Sequence, residues 1–249
     1  MRCVALSTLG LVSAMLCGTT LSAGKVKAKE LSPTVSVTAD AGVVSDYRFR
    51  GLSLSDKDPA VQGGLTVSTL SGFYAGVWGS TIKETAGGAD VEVDLFVGYG
   101  GDIGNGFSTN VSFAYYLYPG DGNIDYLEGN ASLSYALGPL TPTLGVAYAP
   151  KQDSLRNAFG AKADNFYVYG GADFAVPGTP ATLVARIGYE TGVLDASDNG
   201  KWDWQLGGTV RAYGLTFGLS YVDSNVRVPG ASGGNLGGAG VVASVTASF

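Results

Sequence analysis

From residue 34 to Phe249 apolar side chains recur at every second position, and no other feature restricts the fold of this chain as strongly. A period of two means extended strands with two unlike faces. Val91, Val93, Leu95, Val97 and Tyr99 alternate with Asp90, Glu92, Asp94, Phe96 and Gly98. Phe107, Thr109, Val111, Phe113, Tyr115 and Leu117 alternate with Ser108, Asn110, Ser112, Ala114 and Tyr116, and Trp202, Trp204, Leu206, Gly208, Val210 and Ala212 with Lys201, Asp203, Gln205, Gly207, Thr209 and Arg211. The pattern divides into twelve segments, near 34–50, 60–70, 73–82, 90–100, 107–118, 124–137, 140–149, 165–176, 181–190, 201–212, 215–222 and 240–249. Most exceed the ~5–6 residues of an ordinary strand and match the ~9–11 that a tilted strand needs to cross a bilayer.

The connections mostly alternate in length as well. Ser71-Gly72, Gly138-Pro139, Pro177 to Pro180 and Tyr213-Gly214 are tight, and Gly101 to Gly106 is short. Gly51 to Pro59, Lys83 to Ala89, Pro150 to Asp164, Thr191 to Gly200 and Asp223 to Ala239 are longer, while Pro119 to Asn123 departs from the rhythm. Tight turns at one end and longer loops at the other describe an outer-membrane barrel, and an even strand number puts both termini at the turn end. The last loop, rich in Gly, Ala and Ser from Val228 on, reads as mobile.

The two faces decide between water and lipid. The apolar set continues from strand to strand, whereas the other set is mainly Ser, Thr, Gly and Asn with scattered charge. A soluble barrel would wet that polar face, yet only 14% of residues are charged, against roughly 25% in soluble domains. Twelve long strands also exceed the roughly eight of a lipocalin-like barrel. Aromatics gather at both ends. Phe73, Phe107, Phe174 and Phe249 lie at the turn side; Tyr47, Phe49, Tyr115, Tyr148, Phe166, Tyr189, Trp202 and Trp204 lie at the loop side. Two such belts mark the lipid–water interfaces. The expected fold is all-β, a transmembrane antiparallel β-barrel of about 12 strands over residues 34–249.

The ends of the chain carry addresses. Arg2 precedes the mostly apolar stretch Val4 to Leu16, and small residues follow through Ala23. This is the layout of a secretory signal peptide, expected to be cleaved after Ala23, with Ala28 as second choice. The C-terminus runs Val241, Ala243, Val245, Ala247 and ends on Phe249. An alternating strand ending in Phe resembles the signature read by bacterial barrel-assembly machinery. Export to the outer membrane follows, with outer-membrane lipid, that machinery and small polar solutes as partners.

Composition removes most other functions. There is no His, and both cysteines, Cys3 and Cys17, lie in the exported leader. His-based triads and His metal sites are excluded, so the reading is not an enzyme and takes no metal or cofactor. Fifteen basic against 21 acidic residues leave no basic surface for nucleic acid.

The stretch Ser45-Asp46-Tyr47-Arg48-Phe49-Arg50-Gly51-Leu52-Ser53, continuing through Asp56, Pro59, Ala60, Gln62, Gly63 and Gly64 to Ser71-Gly72-Phe73-Tyr74-Ala75-Gly76-Val77-Trp78, resembles the TorF family of porin-like proteins, also called the Gcw_chp family of proteobacterial outer-membrane proteins. The match is dense over about residues 35–100. The resemblance implies an outer-membrane barrel with a porin role and supplies no substrate class.

With odd-numbered residues of the first strand facing lipid, Asp40, Asp46, Arg48 and Arg50 face the lumen. The same alternation adds Asp90, Glu92, Asp94, Glu128, Asp173, Arg186, Glu190, Lys201, Asp203 and Arg211. On this count nine acids and five bases line a pore, with Asp90, Glu92 and Asp94 opposite the strand of Lys201 and Arg211, and Arg48 and Arg50 beside Gln62 and Gly64. Separated charges in a lumen sort solutes by charge and size. The alternative is structural, because interior charges also pair and fill a barrel of intermediate size. The function expected is a porin for passive diffusion of small polar solutes; the alternative is a non-conducting structural or adhesive barrel.

Overall fold

The alternation closes on itself. The computed structural model describes residues 35–197 and 199–249, and the segment read as a signal peptide, residues 1–23 or 1–28, lies outside them. In chain order the strands are β1 (Val35–Val44), β2 (Arg48–Phe49), β3 (Leu52–Ser53), β4 (Ala60–Thr69), β5 (Phe73–Thr81), β6 (Val91–Gly104), β7 (Phe107–Leu117), β8 (Tyr126–Tyr135), β9 (Leu140–Ala149), β10 (Asn165–Ala175), β11 (Ala181–Gly192), β12 (Lys201–Ala212), β13 (Leu215–Ser224) and β14 (Gly240–Ser248). Twelve of them pair with their neighbours in one closed antiparallel barrel, and β2 and β3 form a separate hairpin. β1 closes the seam against β14, from Asp40 opposite Ser248 to Val44 opposite Ser244. Phe249 extends that seam, exchanging backbone hydrogen bonds of 2.8 and 3.1 Å with Ala39. Closure leaves no unpaired barrel edge.

Burial is inverted relative to a soluble protein. Leu206 is 65% exposed on the outer wall while Lys201, five residues earlier on the same strand, is 1% exposed inside. Leu65, Leu95, Phe113, Leu144, Leu183 and Leu219 share the exposed face. A belt of this kind is stable in hydrocarbon, where the closed ladder satisfies every strand amide and carbonyl. Among the belt aromatics, Phe73, Phe107, Phe174 and Phe249 at the turn end and Tyr115, Tyr148, Phe166 and Trp202 at the loop end are exposed.

Three expectations change. The first strand stops at Val44 rather than residue 50. Tyr47 is fully buried and Phe49 half-buried, packed inside against Trp78 and Tyr116, so neither belongs to the lipid belt. Their spacing continues the strand's alternation, but the ladder ends at Val44, and both rings follow the chain inward. The β6–β7 turn is also tighter than expected: β6 runs on to Gly104 through a register shift between Asp102 and Gly104. Finally, the last loop is pinned. Leu236 donates its N–H to the Val228 carbonyl at 2.8 Å, Gly230 donates to Gly234 at 2.7 Å, and Ser232 donates to Asp56 at 2.9 Å.

Candidate functional site

The wall is left at Ser45 and regained at Ala60, which stands opposite Val44 in the ladder. The intervening residues fold into the barrel. Arg48 pairs with Ser53 and Phe49 with Leu52, joined by Arg50 and Gly51, whose φ angles are +47° and +83°. Two left-handed residues between paired strands make the tight hairpin turn that suits strand twist. Glycine accepts this conformation freely, whereas for Arg50 it is strained. Gly51 is also pressed against the wall. A Cβ there would sit 2.8 Å from Asp203 Cβ and 3.0 Å from Ser224 Cβ.

The base of the hairpin is braced by one carboxylate. Asp46 accepts from Arg48 Nε and from Ser53 Oγ, both at 2.6 Å. Arg48 Nη1 donates to the carbonyls of Gly51, Leu236 and Gly238 at 2.9–3.0 Å. These bonds tie the hairpin to the β13–β14 loop.

The tip crosses the lumen. In the barrel order β9 stands opposite β1, flanked by β8 and β10, with β11 next. Arg50 Nη2 donates to Glu128 on β8 at 2.6 Å and Nη1 to Glu190 on β11 at 2.7 Å. Its guanidinium lies 4.3 Å from the centre of the Tyr167 ring on β10. Lys201 pairs with the second oxygen of Glu190, and Asn165 Nδ2 donates to the first at 2.9 Å. Tyr167 donates to Asp203 at 3.1 Å and Tyr118 to Glu92 at 3.0 Å. Glu92, Asp94, Glu128, Glu190 and Lys201 are each 3% exposed or less, so the loop-end half of the lumen is shut at this level. Five acids (Glu92, Asp94, Glu128, Glu190, Asp203) meet two bases there, Arg50 and Lys201. Among the described residues no acidic cluster has the geometry of a metal site.

The turn-end half differs. Thr66, Ser68, Asn110, Ser132, Thr143, Thr182, Thr209 and Ser244 point inward and are half-buried. Rings lie close over inward glycines on the neighbouring strand, Tyr74 over Gly98 and Tyr169 over Gly145, and nearer the shut level Phe96 over Gly76 and Tyr167 over Gly188. At the loop end a depression of about 450 Å³ opens above the hairpin, lined by Leu54, Ile82, Tyr118, Leu155, Leu194 and Leu236.

The structure thus brings together Glu128, Glu190, Lys201 and Asp203 from the wall and Arg50 from the hairpin. Glu92 and Asp94 face the same shut level from β6. Several placements differ from the sequence reading. Arg48 and Arg50 lie on the inserted hairpin, not on the first strand beside Gln62 and Gly64, because the wall ends at Val44. Asp46 braces that hairpin rather than lining a pore. Asp90 precedes β6, where alternation begins at Val91, and is exposed in a loop. Arg211 sits at the turn end of β12, its N–H on the Pro180 carbonyl, so it does not face the β6 acids. Asp40, Asp173 and Arg186 are half-buried in the turn-end half. Sequence reasoning missed Tyr118, Asn165 and Tyr167. Asn165 and Tyr167 share the inward phase of β10, which was the available signal.

A family model described as a bacterial protein of unknown function (Gcw_chp) matches residues 27–249. No curated protein matches the chain. Among solved structures, the NanC porin aligns at a TM-score of 0.57 and 12% identity, covering 85% of this chain and 98% of that one. The KdgM porin aligns at 0.58 and 8%, covering 85% and 99%. An outer membrane channel from Pseudomonas putida F1 aligns at 0.51 and 10%, covering 91% and 100%. At these identities the likeness is one of fold.

Proposed function

The chain belongs to the Gcw_chp family, and we propose that it is an outer-membrane channel for passive diffusion of small polar solutes, held shut here by its own residues 46–58. The observation that carries this reading is the division of the lumen. The turn-end half is lined by half-buried Ser, Thr and Asn side chains. The other half is closed by a segment outside the barrel ladder, so that segment can leave while the wall stays intact. The loops face outward and the termini face the periplasm. Asp40, Asp173, Arg186 and Arg211 line the turn-end half, and the wall acids at the shut level give a weak preference for cations. The mechanism is diffusion, with no reaction and no cofactor.

A non-conducting barrel is the second reading, favoured by the complete burial of Glu128 and Glu190. Flux of neutral and charged solutes into liposomes separates the two. Native protein passes small solutes slowly, and Asp46→Asn, which weakens the brace on Arg48 and Ser53, passes them faster. A folded Asp46→Asn barrel that passes nothing supports the second reading instead.

A further inference from the structure

We propose that Glu128, Glu190 and the Tyr167 ring form a receptor for the guanidinium group of an external solute, that Arg50 fills this receptor when the solute is absent, and that exchange of one guanidinium for the other frees the hairpin. The inference rests on the channel reading and names what opens it.

Arg50 is held as a free guanidinium would be held. Two N–H edges go to carboxylates on two different strands, at 2.6 and 2.7 Å, and the guanidinium carbon lies 4.3 Å from an aromatic ring centre. Two-sided donation over a ring face selects guanidinium over a compact ammonium. Every recognising group belongs to the wall. Glu190 is fixed by Lys201 and Asn165, and Tyr167 by its bond to Asp203. The receptor therefore persists when the hairpin departs.

The vacated site demands a cation. Without Arg50, Glu128 loses its ion pair and Glu190 keeps Lys201 alone, and a buried carboxylate stripped of its partner is strongly unfavourable. Spare acceptors are present even now: Glu128 Oε2 and Asp203 Oδ2 are buried with no hydrogen bond. A guanidinium carries five N–H donors, and a solute free of the hairpin's constraints can turn more of them onto these oxygens. Arg50 is also an imperfect occupant, because its backbone sits at φ +47°, a conformation that costs energy for a non-glycine residue. The acids here have no metal-ligand arrangement among the described residues, which favours an organic cation.

The test uses the full-length refolded barrel with methylguanidinium and argininamide as probes and tetramethylammonium, a cation without donors, as control. In Arg50→Ala, methylguanidinium raises the unfolding temperature, and in Arg50→Ala/Glu128→Gln/Glu190→Gln it does not. In the native barrel, argininamide raises neutral-solute flux about tenfold, and tetramethylammonium leaves it unchanged. If Arg50→Ala conducts but neither its unfolding temperature nor native flux responds to guanidinium, the receptor is refuted and the channel stands. If Arg50→Ala folds and never conducts, the channel reading fails, and the temperature shift alone decides the receptor. If Arg50→Ala does not fold, Arg50→Lys and the native flux response decide: equal stimulation by both cations, or none by either, overturns the proposal.

Discussion

Gly51→Ala perturbs the hairpin where its turn presses on Asp203 of β12 and Ser224 of β13. The backbone at φ +83° costs an L-residue about 1–2 kcal/mol. The added methyl would lie 2.8 Å from Asp203 Cβ and 3.0 Å from Ser224 Cβ. Both are anchored at the barrel backbone and cannot swing aside, so the hairpin must shift, at a further cost of about 1–3 kcal/mol. A total near 2–5 kcal/mol raises the undocked fraction roughly 30- to 4,000-fold, at tenfold per 1.4 kcal/mol. The ladder is untouched, so circular dichroism and the heat-modifiable gel shift should match the native barrel. Single-channel recording in planar bilayers then shows open time rising steeply. Gly178→Ala is the control. Its φ is +75°, nothing lies within 4 Å of the added methyl, and it sits in a turn at the far end of the barrel. If Gly51→Ala and Gly178→Ala gate alike, the hairpin does not control the pore.

Facing is tested by arginine placement: Leu95→Arg, on the exposed apolar wall, costs about 2–4 kcal/mol near the bilayer midplane, and Ser132→Arg, half-buried toward the lumen, costs much less in lipid-reconstituted denaturant titrations. Removing Phe249 deletes two backbone bonds to Ala39 at the seam, each worth about 1 kcal/mol, so the folded band should melt at a lower temperature and assembly should slow. Glu92→Gln/Asp94→Asn lowers the acidic excess, and reversal potentials should move toward anions at low salt and little at high salt, where the Debye length shrinks to about 3 Å.

The barrel was legible because one period governs both burial and pairing. Leu95, Leu206 and Leu219 alternate into lipid without interruption, and the tight turns fix register. Residues 45–58 were not legible by the same rule. Tyr47 and Phe49 stay in phase with β1, so alternation alone reads straight through the point where the chain leaves the wall. The contrary signals were local: Arg50-Gly51 as a left-handed pair, and Asp46 spaced to meet both Arg48 and Ser53. Glu128, Glu190, Lys201 and Asp203 were found by phase, but their meeting at Arg50 depends on a contact between residues 78 and 140 positions apart. No strand period encodes it.

The central claim is that residues 46–58 close the lumen. Because Val44 stands opposite Ala60, a two-residue Asn-Gly turn can replace the intervening segment without changing register. Liposomes holding this hairpin-free barrel should swell in small neutral sugars at rates that fall with solute size, while native protein swells them slowly. A hairpin-free barrel that folds, inserts and remains impermeable contradicts the account.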